Sequence, residues 1–153
     1  MSEYRATVEW QLQGAFNYET YSRSHRIEFG RGVRLEGNAA EGNIPKTAPA
    51  APGADPEQQF VASLASCHML WFLHLACSRK YVVAGYRDEA SGVLAKDAEG
   101  KDAMTSVTLR PVVRFVGTAP SEDEQRDLHE KAHQRCFIAN SVKSAVAVQP
   151  RIA

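Results

Sequence analysis

One stretch of this chain restricts the folds open to it more than any other. From Phe60 to Cys77 the sequence FVASLASCHMLWFLHLAC, wound as a helix, is apolar around nearly its whole circumference. Such a helix either forms the central core element of a protein or crosses a bilayer. Ser63, Ser66, His68 and His74 argue against the bilayer, and the stretch falls short of the ~20 residues that a span needs. Its start is well marked. Asp55 suits a cap, Pro56 the first helical position, and Glu57 the positive end of the helix dipole. The helix is expected to end near Arg79 or Lys80, whose charges suit the opposite pole.

The flanking sequence supplies the strands that such a helix packs against. Tyr4, Ala6, Val8, Trp10 and Leu12 alternate with polar residues and predict a strand with one buried and one wet face. Ile27, Phe29, Val33 and Leu35 flank Gly30-Arg31-Gly32, which predicts a hairpin. Gly37 to Asp55 is rich in Ala, Gly and Pro and reads as a long loop leading into the core helix. After that helix come two strand-like segments, Val82 to Lys96 and Met104 to Val116, joined by a turn at Asp97-Ala98-Glu99-Gly100. Pro111 interrupts the second and predicts an edge or a bulge. A second helix starts at Ser121, with Glu124 completing a capping box, and ends near Cys136. Val142, Ser144, Val146 and Val148 form a last strand. The expected order is βββ-α-ββ-α-β, an α+β fold in one domain over residues 1–153.

Charge excludes several functions. Eighteen basic and 18 acidic residues give a formal net charge of 0, and no basic run is present. Nucleic acid and anionic membranes are therefore not expected as partners. Three cysteines leave one unpaired, so a structural disulfide framework is not expected. Met1 to Arg5 lacks the apolar segment of a signal peptide, and a reducing, cytoplasmic setting is the expectation.

The thiols carry the chemistry. A cysteine in a buried helix is ordinarily a small hydrophobe. Cys67, however, lies in mid-helix, where the dipole does little for its ionisation, so a reactive thiolate there needs a cation from elsewhere. Arg23 and Arg26 are the candidates, against the alternative of solvated strand-edge charges. A carboxylate is needed to hold such a guanidinium, and Glu57 is placed for it. Glu57 precedes Cys67 by ten residues, or ~15 Å along one straight helix. One chain cannot bring the two together. A homodimer with its core helices antiparallel can, which predicts composite sites at a two-fold interface.

Cys77 follows Cys67 by the same ~15 Å, too far for a disulfide. That leaves Cys136 as the partner and Cys77 as packing. At the C-terminal end of its helix, Cys136 is disfavoured as a thiolate, which suits a resolving thiol. Most of Met69, Leu70, Trp71 and Phe72 are expected to be core. One or two lining a pocket beside the sulfur would favour a substrate with a hydrocarbon tail. A competing reading uses His129, His133 and Cys136, at i, i+4 and i+7 on one helix face, with Cys67 or Cys77 and His74 as soft metal ligands. The plain alternative is that His129 and His133 are partly exposed.

Taken in order, Asp55-Pro56-Glu57, Ala65-Ser66-Cys67-His68-Met69 and Cys136-Phe137-Ile138-Ala139-Asn140-Ser141-Val142 resemble the OsmC/Ohr family of thiol peroxidases, over about Tyr4 to Pro150. The resemblance implies an intertwined α+β homodimer that reduces organic hydroperoxides, and hydrogen peroxide as a further substrate, with no metal or flavin cofactor. It places the peroxidatic cysteine at Cys67, the resolving cysteine at Cys136 and the helix-start glutamate at Glu57. The family's arginine corresponds to Arg23, with Arg26 as the rival, and Tyr21 and His25 lie in the same segment. The implied cycle runs through a sulfenic acid and a disulfide, restored by a dithiol, lipoyl-linked by analogy. A non-catalytic redox sensor or small-molecule binding protein on the same fold is the alternative.

Overall fold

The computed structural model describes residues 1–152. The chain divides into two compact units, Met1–Gln59 and a second from Phe60 onward. One long helix, α1 (Pro56–Ser78), begins in the first and continues into the second.

The first unit is a three-stranded antiparallel sheet of β1 (Ala6–Glu9), β2 (His25–Phe29) and β3 (Arg34–Gly37), in that order. The predicted hairpin turn falls at Gly30–Gly32, where Arg31 and Gly32 take φ of 63° and 73°. The Ala/Pro-rich segment after β3 is tied down by a buried asparagine. Asn38 Nδ2 donates to the Ala51 carbonyl at 2.6 Å, and Asn38 Oδ1 accepts from the Ala39 N–H at 2.9 Å. A Gly37–Ala54 bridge closes the loop just before α1. Asp55 then caps α1, its Oδ1 accepting from the Gln58 N–H at 2.7 Å.

One expectation is corrected here. The alternation around β1 is present, but neither face is covered, and Val8 is 65% exposed along with Tyr4 and Leu12. Period-two patterning shows which face seeks cover, not what provides it.

The second unit holds most of α1 together with β4 (Val82–Asp88), β5 (Ser91–Lys96), β6 (Asp102–Leu109), β7 (Pro111–Val116), α2 (Glu122–Arg135) and β8 (Ala145–Val148). β4 pairs with β7, and a second sheet has the order β5-β6-β8, with β8 parallel to β6. Each long strand segment of the sequence is thus two strands, and the order is βββ-α-ββββ-α-β. The break lies at Arg110. Its N–H donates to Asp88 Oδ1 at 2.6 Å, and its guanidinium to the Ser91 hydroxyl at 2.8 Å. Pro111, which lacks an N–H, becomes the first residue of β7.

α1 buries a single stripe, Leu64, His68, Phe72, Leu75 and Ala76, at helical spacing. Phe72, Leu75 and Ala76 pack with Leu128 and Ala132 of α2, while Leu64 packs with Val107 and Leu109 of β6. The expectation of a helix buried on nearly every side is not met within this chain, because Leu70 is 62% exposed. At its C-terminus Lys80 turns left-handed (φ 64°), and the Tyr81 N–H reaches the Ala76 carbonyl at 3.0 Å. The capping box foreseen for α2 is present, with Ser121 and Glu124 each accepting from the other's N–H.

Candidate active site

Cys67 sits near the middle of α1, half-buried, while Cys136 is the C-cap of α2 and almost fully buried. These two thiols, distant in sequence, meet. The Cys67 side chain lies close enough to Cys136 to perturb its thiol, and all three cysteines are free thiols. Burial first, and the Cys67 side chain second, push the Cys136 thiol up to about 11. Cys136 is accordingly protonated at neutral pH. A partial cradle opposes this shift, since Ala139 donates its N–H to Cys136 Sγ at 3.4 Å.

A cavity of about 520 Å³ opens beside Cys67. Leu70, Trp71, Phe137 and Ile138 form its apolar walls, with Ser63, Ser66 and His74 adding polar edges. Trp71 stands perpendicular to both Phe137 (5.4 Å, 83°) and His74 (5.7 Å, 89°), and the Arg135 guanidinium lies 5.7 Å from its ring. Such a recess suits a hydrocarbon group next to the sulfur.

The residue after Cys67 also turns inward. His68 Nε2 lies 3.1 Å from His129 Nδ1, with the rings parallel, and Phe72 stacks on His129 at 4.3 Å. Burial is the larger cause of both pKa shifts, lowering His68 to about 4 and His129 to about 3, with neighbouring histidines adding to it. Both rings are neutral at physiological pH. The Nδ1 of His68 and that of His133 have no hydrogen-bond partner among the described residues.

Arg23 is buried in the first unit with its fork already fixed. Nη1 donates to the Tyr21 carbonyl and Nη2 to the Tyr18 carbonyl, each at 2.7 Å, and the guanidinium lies 3.7 Å from the Tyr21 ring centre. His25 Nδ1 lies 2.9 Å from the Arg23 carbonyl. Arg26 is exposed and 3.9 Å from Glu36, as the solvated-charge reading expects. Glu57 occupies the first turn of α1. Cys77, expected to be packing, is exposed instead, because it falls off the buried stripe of α1.

Among the described residues no group of three or more His, Cys, Asp or Glu side chains is placed to hold a metal ion. The ligand set proposed from spacing is drawn apart by the histidine pair, which directs His129 toward His68 rather than toward Cys136. His129 is buried, not partly exposed as the plain reading held. The pairing with His68 was missed from sequence. Its one signal was a histidine in the core stripe between Leu64 and Phe72.

Comparison with known proteins bears on the fold and the family. A family model described as OsmC-like protein matches residues 48–151. An OsmC-like protein of unknown function from Vibrio cholerae O1 biovar eltor is similar over 99% of this chain and 100% of its own, at 40% identity and a TM-score of 0.93. The organic hydroperoxide resistance protein OhrB of Bacillus subtilis is similar over 98% of both chains, at 22% identity and a TM-score of 0.66. One from Elizabethkingia anophelis has 20% identity and a TM-score of 0.67, over 98% of this chain and 94% of its own. No match was found among curated protein sequences.

Proposed function

The chain belongs to the OsmC-like family, whose fold the organic hydroperoxide resistance proteins share, and on that premise we propose that it is a two-cysteine thiol peroxidase acting on organic hydroperoxides. The observation that carries this reading is the meeting of Cys67 with a buried, protonated Cys136 beside an apolar cavity.

In the proposed cycle the Cys67 thiolate attacks the outer oxygen of ROOH. The O–O bond breaks, RO⁻ leaves and takes from water the proton that the Cys67 thiol gave up on ionising, giving ROH, and Cys67 becomes a sulfenic acid. The Cys136 thiol then attacks that sulfur, releasing water and forming the disulfide. An external dithiol, lipoyl-linked in our proposal, reduces the disulfide by exchange and is itself oxidised. Hydrogen peroxide fits the same chemistry but leaves the apolar walls unfilled. We assign Arg23 to holding the thiolate and Glu57 to holding the Arg23 guanidinium. The buried, pre-aligned fork of Arg23 supports it over the exposed Arg26. Helix length separates Glu57 from Cys67 within one chain, so Glu57 acts from a second copy in an antiparallel homodimer. The uncovered apolar residues of α1 and β1 support such a dimer.

The test is intact-mass analysis after one equivalent of cumene hydroperoxide, followed by steady-state turnover with a lipoyl dithiol. A loss of two hydrogens mapped to Cys67 and Cys136, with multiple turnovers, is expected. Cys67→Ser should abolish consumption; turnover that persists in this variant would remove the reading. A disulfide without turnover would identify a redox sensor.

A further inference from the structure

Beside the apolar packing of Phe72, Leu75 and Ala76 on Leu128 and Ala132, two contacts between polar side chains link α1 to the α2 segment, and they fall on adjacent residues of α1. Cys67 meets Cys136, and His68 meets His129. On α2, His129 and its C-cap Cys136 are seven residues apart, two turns along one face. Apolar packing holds the two helices together but is non-directional; a directional contact close to the thiols fixes the angle at which Cys136 is presented. The sulfur contact cannot serve as its own anchor, because it is remade at each turnover of the proposed cycle.

The histidine contact is an expensive choice for a core position. His68 stands in the stripe between Leu64 and Phe72, where a leucine would pack with no polar atom to satisfy. Its Nδ1 is buried without a partner among the described residues, which costs stability. What two imidazoles supply and aliphatic chains do not is direction, since a hydrogen bond specifies distance and angle. Phe72, stacked on His129, adds a further contact to that ring.

We infer that His68 and His129 are positioning residues for the resolving step, fixing the end of α2 so that Cys136 stays within bonding reach of the Cys67 sulfenic acid. This inference rests on the peroxidase reading above. The step served is Cys67–SOH plus Cys136–SH giving the disulfide and water. It competes with attack of a second hydroperoxide on the same sulfur, which gives sulfinic acid and a second alcohol. The histidine pair does not touch the reacting oxygens and leaves the first oxidation alone.

The experiment measures that competition. His68→Leu and His129→Phe break the contact from opposite ends, and His68→Gln keeps a polar atom near the position of Nε2. Ile27→Ala, a buried residue of β2, is a core control away from the α1–α2 packing. Each protein is mixed with excess cumene hydroperoxide. Sulfenic acid formation is timed by rapid quench, and the ratio of sulfinic acid to disulfide is read by mass. The expectation is sulfenic acid formation within about twofold of wild type, sulfinic acid per turnover raised about tenfold or more in the two contact-breaking variants, recovery in His68→Gln, and no change in Ile27→Ala. An unchanged sulfinic acid ratio in either contact-breaking variant overturns the inference and leaves the peroxidase reading standing. Wild-type protein that forms no Cys67–Cys136 disulfide overturns both.

Discussion

His68 Nε2 and His129 Nδ1 face each other at 3.1 Å between α1 and α2, with their rings parallel to within 4°. A pair this close tolerates no charge on both rings, and burial already disfavours charge on either. The folded state holds both rings neutral down to about 4 for His68 and about 3 for His129, whereas an unfolded chain protonates them near 6.5.

Acid should therefore unfold the second unit by linkage. The folded pKa values lie below the unfolded ones, so the unfolded state binds more protons once pH drops under 6.5. Stability is full above that value and falls down to about pH 4, by about 1.4 kcal/mol per pH unit for each ring. Urea midpoints measured from about pH 7.5 to about pH 5 check this. His129→Phe should remove roughly half of the slope, and a flat wild-type profile would contradict the assignment.

Mixing inactive proteins should restore activity if sites are shared between copies. Glu57→Gln supplies Cys67 without its acid, and Cys67→Ser supplies Glu57 without its sulfur. After subunit exchange at equal amounts, half of the dimers are mixed and each has one intact site, giving about a quarter of wild-type turnover. Sedimentation should show a dimer. Absence of any recovery after proven exchange would refute composite sites.

Trp71 should set preference for the organic group. It forms the aromatic wall of the cavity beside Cys67, braced by His74 and Phe137. Trp71→Ala is expected to lower kcat/KM for cumene hydroperoxide about tenfold or more, a loss of the size seen for apolar pocket contacts. The value for hydrogen peroxide, which has no group to place there, should stay within about twofold. Equal losses on both substrates would assign Trp71 to the scaffold instead.

Helix α2 depends on its first turn. Ser121→Ala deletes an acceptor of the Glu124 N–H and should cost about 1 kcal/mol in thermal or urea unfolding, while Ser121→Asp should retain most of it. No change in peroxide consumption is expected, since Ser121 lies at the opposite end of α2 from Cys136.

Local signals were legible wherever a few adjacent residues settled the conformation. Asp55 and Ser121 cap as read, Gly30-Arg31-Gly32 turns as read, and Cys136 falls at the helix end as read. Pro111 announced a break, but not that β4 to β7 would separate into two sheets around Arg110 and Asp88. The alternation of β1 and the apolar circumference of α1 were visible, yet the residues expected to be covered remain exposed in the chain. Hydrophobic patterning records that a surface avoids water and says nothing about which molecule covers it.

The sequence by itself determined the helices, their caps, the two thiols and the family. The helices, their caps and the placing of the thiols on them depend on spacing within one segment, where bond geometry and the helical repeat leave few choices; the family was legible as a resemblance over three separate motifs. Only the tertiary structure decided that Cys67 meets Cys136 with a raised thiol pKa, and that His68 meets His129 across 61 residues. Those contacts exist because α1 buries one stripe against α2, and packing between remote segments sets which side chains touch and how much water they lose.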